Sequence, residues 1–177
     1  MMLGEIRAHR PEGAPEGVRL VELADRSLRA IRIPRADLAA SGDLPDLAGA
    51  GVFFLVGPAP AAGDRPRAFL GGTQDLAGQL THHGRAAPFP WEAAVAVPLR
   101  PPKIPRFHKE LIKLVQFHCH RRAVEVRSHE VISPEPTAPS LVPAFVERDL
   151  AASRTAIETL LFALGHPLLG VQLRVVK

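Results

Sequence analysis

One short apolar run constrains the fold of this chain most. Residues 51–56 (GVFFLV) are all apolar, and they are bounded by Gly49 on one side and by Gly57 and Pro58 on the other. This run is too short for a typical buried helix, whereas a buried strand commonly has this length. A second short strand is predicted at 67–70, and the glycine- and proline-rich loop between the two runs predicts that they pair antiparallel.

Three further segments have the composition of strands in the same sheet. Residues 18–23 and 28–33 alternate apolar and polar side chains and are expected to pair as a hairpin, while residues 93–99 are rich in valine and alanine. Pro34 predicts a short helical segment at 35–40, because proline is tolerated at the first position of a helix.

Three longer segments have helical spacing. The first, at 73–83, places Leu76 and Leu80 on one face, with Thr73 as its predicted N-cap and Gly84 as its predicted stop. In the other two segments, residues 105–122 and 143–164, apolar residues again recur at intervals of three and four.

These later helices are expected at 105–122 and 143–164, and Gly165 would end the second. A proline-punctuated connection, residues 131–143, joins them. The order of strands and helices predicts an α/β protein of the α+β type, in which helices flank a small, mainly antiparallel sheet.

Length and composition predict a single folded domain. The chain has 177 residues, of which 46% are hydrophobic, and this is enough apolar material for one core. We expect a flexible N-terminal tail at 1–17, one domain at 18–170 and a short C-terminal segment at 171–177.

The chain gives no sign of an oxidising compartment or a membrane. Its single cysteine, Cys119, cannot form an internal disulfide, and the first residues contain no apolar stretch of the length that a signal peptide or membrane span requires. We therefore expect a cytoplasmic protein without membrane contact.

Positive charge is concentrated in one segment. The formal net charge is +4, and residues 100–122 contain seven lysines and arginines but one acid, Glu110. A basic helix of this density predicts contact with the phosphates of nucleic acid, although a simply solvated helix face has the same composition. The candidate nucleic-acid-binding residues are Lys103, Arg106, Lys109, Lys113, Arg121 and Arg122.

Specific residues in the strands resemble a known family. Residues 51–55 (GVFFL) followed by 68–71 (AFLG) resemble the two signature strands of the GIY-YIG nucleases, and residues 75–83 (DLAGQLTHH) resemble the helix that follows them. The resemblance covers roughly 18–170 and is greatest to a bacterial branch with an added N-terminal hairpin and C-terminal helix.

The resemblance implies hydrolysis of a phosphodiester and assigns roles to particular positions. A tyrosine that helps to activate water is expected at Phe53 and again at Phe69, an arginine that stabilises the phosphate at Gln79, and a histidine at His83. The family's helix glutamate, which holds one divalent cation, would fall near residues 111–112.

This sequence departs from the family at most of these positions. Both signature tyrosines are phenylalanine, and the chain contains no tyrosine at all. Gln79 carries no charge, and the nearest carboxylate to the expected glutamate is Glu110. Because a phosphodiester transition state gathers negative charge, we predict a catalytically impaired protein that needs no cofactor, with Mg²⁺ implicated only if nuclease activity survives.

The segment 118–120 (HCH) contains potential metal ligands and a potential nucleophile. Its spacing lacks the separated pairs of known zinc sites, so we predict no metal site. Cys119 would act as a nucleophile only if its pKa were lowered by a neighbouring cation, and a buried, inert thiol is the commoner case.

Other functions remain open at this point. One alternative is an active metal-dependent endonuclease with a rearranged site, in which Glu110 and His83 perform the chemistry. A second is that the cleft now serves a different reaction or binds a small molecule, with His83, Cys119 or nearby histidines as its polar groups. A protein partner or a homodimer is also compatible with the sequence.

Overall fold

The structure is a computed structural model that describes residues 5–25, 27–101, 108–139 and 143–170. It is a mixed α/β fold with a seven-stranded, mostly antiparallel sheet, and the predicted fold class is therefore confirmed. Two of the predicted nucleic-acid-binding residues, Lys103 and Arg106, lie outside the described residues.

Three consecutive strands form one side of the sheet. They are β1 (Ile6–His9), β2 (Arg19–Leu23) and β3 (Arg29–Pro34), and each pairs antiparallel with the next. The predicted hairpin is thus confirmed, but the expectation of a flexible tail at 1–17 is wrong for β1. The side chains of β1 are mostly exposed, so backbone hydrogen bonds to β2 hold the strand in place. For the same reason its sequence gives only a weak apolar signal for a strand.

The other four strands surround the apolar run. They are β4 (Gly51–Gly57), β5 (Arg67–Thr73), β6 (Ala93–Pro98) and β7 (Glu130–Val131). The order across the sheet is β1-β2-β3-β6-β4-β5-β7, so β4 lies between β6 and β5 and pairs antiparallel with both. The predicted antiparallel pairing of the segments 51–56 and 67–70 is confirmed.

Helices cover both faces of this sheet. They are α1 (Leu38–Ser41), α2 (Leu76–Arg85), α3 (His108–Val126) and α4 (Ala144–Ala163). Side chains alternate between faces along β4. Phe54 belongs to the core beneath α3 and α4, whereas Phe53 and Leu55 belong to the core beneath α1 and α2.

The ends of α2 differ from the prediction. The N-cap is Asp75, whose carboxylate accepts a hydrogen bond from the backbone nitrogen of Gly78 at 3.0 Å, and not Thr73. The helix also continues through Gly84, where α1 packs closely: a Cβ on Gly84 would lie 2.8 Å from Cδ2 of Leu38. A glycine in a helix costs about 1 kcal/mol and is tolerated where packing compensates.

The end of α4 agrees with the prediction. Gly165 follows the helix with a φ of 84°, a left-handed conformation that glycine adopts without steric cost. The backbone nitrogen of His166 donates to the carbonyl of Leu161 at 2.9 Å and closes the helix. Over the described part of the chain, no helix has the length and apolar character needed to cross a lipid bilayer.

Candidate functional site

A cleft lies at the edge of β5, beyond the point where β7 stops pairing with it. Strand β7 pairs only with Arg67 and Ala68, and the hydroxyl of Ser133 then accepts a hydrogen bond from the backbone nitrogen of Leu70 at 3.1 Å. Beyond this contact, residues 134–137 form one wall of a cavity of about 380 Å³. The cleft thus lies between α2, α3 and the segment that follows β7.

The cleft brings together four of the five candidate catalytic residues. Its lining residues are Phe53, Phe69, Leu70, Gly71, Gly72, Gln79, His83, Gln116, Pro134, Glu135, Pro136 and Thr137. Glu110 is the exception, because it lies in the first turn of α3 and does not line the cavity. Glu110 therefore does not line the cleft that contains His83, although the alternative of an active endonuclease requires these two residues to act together.

Three aromatic rings form the floor of the cleft. The ring centroid of His83 lies 5.3 Å from that of Phe53 and 5.2 Å from that of Phe69, and the two phenylalanine rings are 6.4 Å apart. Phe53 and His83 are buried, whereas Phe69 is half-buried. Phe69 therefore presents the most accessible aromatic surface of the three.

Gln79 and His83 lie one helical turn apart on α2 and contact each other. The amide nitrogen of Gln79 is 3.2 Å from Nε2 of His83. Burial, and secondarily the neighbouring His82, lowers the pKa of His83 below its usual value. The imidazole is therefore neutral at neutral pH, and it offers no positive charge to a phosphate.

Helix α3 contributes Gln116 to the cleft, a residue that the sequence analysis did not identify. Its side chain packs over the backbone of β5, since a Cβ on Gly72 would lie 2.9 Å from Oε1 of Gln116. The positions where the resemblance placed the glutamate, Leu111 and Ile112, are buried apolar residues of the core. The α3 residue that lines the cleft is a neutral amide.

The helical spacing explains why Gln116 lines the cleft and Glu110 does not. Glu110 and Gln116 are separated by about 120 degrees around the helix axis and about 9 Å along it. One sequence signal identifies Gln116 in retrospect: Lys109, Lys113 and Gln116 recur at intervals of four and three and so share one stripe of α3.

The cleft carries little charge, and what it carries is negative. Among its described lining residues, Glu135 is the only one with a charged side chain at neutral pH. Glu135 follows β7 in an irregular segment, so no periodic pattern in the sequence pointed to it. A phosphate in this cleft would meet a carboxylate and no compensating described cation, which opposes its binding.

Positive charge begins immediately outside the cleft. Lys113 lines a second cavity of about 450 Å³ together with Pro139, and this cavity shares Gln116, Pro136 and Thr137 with the first. Lys109, one turn earlier on α3, is exposed.

Arg121 is likewise exposed, and its guanidinium carbon lies 5.7 Å from the centre of the Phe117 ring. The structure therefore leaves Lys109, Lys113 and Arg121 accessible to solvent, as their predicted contact with phosphate requires.

Arg122 does not belong to this exposed set. Its Nε donates a hydrogen bond to the carbonyl of Leu169 at 3.1 Å and lies 3.8 Å from Oε1 of Glu158, a side chain that is 6% exposed. Because its guanidinium joins α3 to α4 and the C-terminal segment, we expect Arg122 to contribute less to nucleic-acid binding than the exposed cations of α3.

Cys119 and His120 of the segment 118–120 are buried. Cys119 is buried in the core, and burial raises the pKa of its thiol to about 12, so it is an inert side chain and not a nucleophile. His120 is buried, and its Nε2 donates to the carbonyl of Ser133 at 3.1 Å. In the described ranges, no group of three or more histidine, cysteine, aspartate or glutamate side chains is arranged to hold a metal ion.

Comparison of this chain with known protein families, with curated proteins and with solved structures gives no match.

Proposed function

We propose that this protein is a catalytically impaired relative of the GIY-YIG nucleases, a pseudoenzyme that binds nucleic acid through α3 without cleaving it. One observation carries the proposal. Phe53, Phe69, Gln79 and His83, separated along the chain, line a single cleft, as the resemblance requires of the family's active-site positions. Their side chains, however, supply neither a phenolic hydroxyl nor a guanidinium.

The lost groups argue against hydrolysis. Removing one electrostatic donor from an active site typically costs about 100- to 1,000-fold in rate. Here both phenolic hydroxyls and the guanidinium are missing. The residue that α3 contributes to the cleft, Gln116, is a neutral amide and not a carboxylate. These losses need not multiply, because groups that act as a unit fail together. Efficient cleavage is nevertheless not expected from this arrangement.

The exposed cations of α3 support nucleic-acid binding. Lys109 and Lys113 are both exposed and lie about 40 degrees apart around the helix. Lys113 lines the second cavity, which adjoins the cleft through Gln116, and the cleft and this cavity together form a continuous groove. Contacts of this kind release condensed counterions from the phosphate backbone, and the resulting affinity falls as salt is added. Arg121 adds a third exposed cation further along α3, about 80 degrees around the helix axis from Lys113.

A binding measurement at several salt concentrations tests this proposal. Labelled single-stranded and double-stranded oligonucleotides would be titrated with the protein between about 50 and 200 mM salt, a range over which phosphate contacts change affinity strongly. Lys109→Glu/Lys113→Glu should weaken binding and reduce the slope of log affinity against log salt by about 1.4 to 1.8, the value for two lost phosphate contacts.

The matched control reverses two charges at the opposite edge of the sheet. Arg7 lies on β1 and Arg10 just beyond it, and both are exposed. Arg7→Glu/Arg10→Glu changes the net charge by the same amount and should leave most of the affinity intact. Equal losses from both double variants would mean that α3 is not the binding surface, and no binding by the unaltered protein would refute the proposal.

A further inference from the structure

The chemistry of the cleft suits an uncharged planar ring better than a phosphate. Its surfaces are an accessible aromatic ring, Phe69, and two neutral amides, Gln79 and Gln116, and Glu135 adds a carboxylate at the wall. A carboxylate and amide oxygens accept hydrogen bonds from the amino and imino groups of a nucleobase, and the amide nitrogens donate to its ring nitrogens and carbonyls. The same set would repel a phosphate.

The size and surroundings of the cleft also fit this ligand. A cavity of about 380 Å³ lies within the range of roughly 300 to 1,000 Å³ that is usual for small-molecule sites. It continues through Gln116, Pro136 and Thr137 into the second cavity, where Lys113 provides a positive charge. A pocket without a described positive charge is thus joined to one that contains Lys113, an arrangement that matches a base and its adjoining phosphate.

We propose that this groove binds single-stranded nucleic acid, with one unpaired base in the cleft against Phe69 and a neighbouring phosphate at Lys113. The inference rests on the proposed function and specifies its ligand. Stacking on an aromatic side chain beside a positively charged groove is how proteins bind single strands with little sequence preference. A base in a duplex is already stacked and paired, so it cannot enter such a cleft without being extruded.

The unaltered protein provides the first test. Binding would be compared for a single strand, the same strand with abasic residues throughout, and the corresponding duplex, all at one salt concentration. The base-bearing single strand should bind about 5- to 150-fold more tightly than the abasic strand, the range expected for one stacked base. A strand containing 2-aminopurine should in addition lose fluorescence when the base stacks in the cleft.

Variants then assign the effect to the cleft. Phe69→Leu keeps an apolar side chain in place but removes the ring, and it should abolish the preference for the base-bearing strand while leaving abasic binding unchanged. Phe162→Ala is the matched control, because Phe162 is 55% exposed on α4 and does not line the cleft. It should alter neither measurement, and preservation of the base preference in Phe69→Leu would overturn the inference.

The outcomes separate this inference from the proposed function. Equal binding of base-bearing and abasic strands, still dependent on Lys109 and Lys113, would overturn the inference and leave the proposed function standing. Tighter binding of the duplex than of the single strand would do the same. No binding of any strand would refute both. If free 2-aminopurine riboside binds as tightly as the oligonucleotide and Lys113→Glu does not weaken it, the ligand is a free nucleoside and the single-strand assignment is wrong.

Discussion

The amide nitrogen of Gln79 lies 3.2 Å from Nε2 of His83, and this contact is the polar centre of the cleft. With the amide nitrogen as donor, Nε2 must carry a lone pair and not a proton. The other ring nitrogen, Nδ1, is buried without a hydrogen-bond partner among the residues that the structure describes. This environment favours the neutral imidazole.

We therefore predict that His83 titrates below its usual value of 6.5. The causes are burial first and His82 second, and both disfavour the protonated ring. An NMR titration of the histidine ring protons measures this pKa directly. Gln79→Glu, which places a negative charge next to Nε2, should raise the pKa of His83. A value above 6.5 in the unaltered protein would contradict the neutral cleft.

The fit between Phe53 and Gly71 leads to a prediction about stability. The two residues face each other across β4 and β5, and a Cβ on Gly71 would overlap the Phe53 ring. Gly71→Ala should therefore lower the free energy of unfolding by about 1 to 3 kcal/mol, the usual cost of overpacking a core. Urea denaturation followed by circular dichroism measures the loss.

A second glycine serves as the control for this substitution. At Gly42 the nearest atom to a new Cβ would be 4.0 Å away, and its φ of −59° suits any residue. Gly42→Ala should leave stability unchanged or raise it slightly, because it restricts the unfolded chain. If Gly71→Ala were as stable as the unaltered protein, the Phe53 ring could not lie across that position.

Arg121 and Arg122 are adjacent in sequence, but we predict that alanine substitution at Arg122 affects mainly stability and at Arg121 mainly binding. Arg122→Ala removes the guanidinium that lies 3.8 Å from the buried Glu158 carboxylate and should lower the free energy of unfolding by about 2 to 3 kcal/mol, with little effect on nucleic-acid affinity. Arg121→Ala, on the exposed side of the helix, should change stability by less than about 0.5 kcal/mol and weaken binding.

Chemical denaturation and oligonucleotide titration of the same two preparations check both effects. If Arg122→Ala weakened binding while Arg121→Ala destabilised the fold, α3 could not have Arg121 on its exposed side and Arg122 against α4.

The contact between Arg32 and His166 predicts how stability depends on pH. The Nε of Arg32 donates to Nε2 of His166 at 3.2 Å, and burial, followed by the charge of Arg32, lowers the pKa of His166 to about 4. Because the pKa is lower in the folded than in the unfolded chain, this stability is present above the usual value of 6.5 and is lost as pH falls from there towards 4.

Denaturation curves measured at about pH 7 and about pH 5 should differ by about 1 kcal/mol from this group, a value reduced for partial solvation of the ring. In His166→Gln the amide oxygen can accept the same hydrogen bond without titrating, so this variant should show a smaller difference. An undiminished pH dependence in His166→Gln would assign the effect to other groups.

The sequence predicted the elements whose signal is local. In β4 every side chain is buried, and the segment is an unbroken apolar run. In β2 and β3 the apolar and polar residues alternate along the strand. Such local patterns predict strands directly. Strand β1 was missed because its side chains are mostly exposed and its stability comes from backbone pairing with β2. Its sequence therefore carries no periodic signal.

The sequence predicted only those site residues that lie on strands or helices with a recognisable hydrophobic pattern, namely β4, β5 and α2. Phe53, Phe69, Gln79 and His83 were singled out by the resemblance to the GIY-YIG nucleases, and they do line one cleft. Gln116 was missed because the rotation of α3 against β5 depends on tertiary packing, which brings this residue over Gly72. Glu135 was missed because it lies in an irregular segment.

Cleavage of nucleic acid is the measurement that most directly tests the proposal of an impaired nuclease. End-labelled single-stranded and duplex oligonucleotides would be incubated with the protein and Mg²⁺ or Mn²⁺ and separated on native and denaturing gels. We predict a retarded complex on the native gel and full-length strands on the denaturing gel. Shortened strands that disappear in a His83→Ala preparation would contradict the proposal and show an active nuclease.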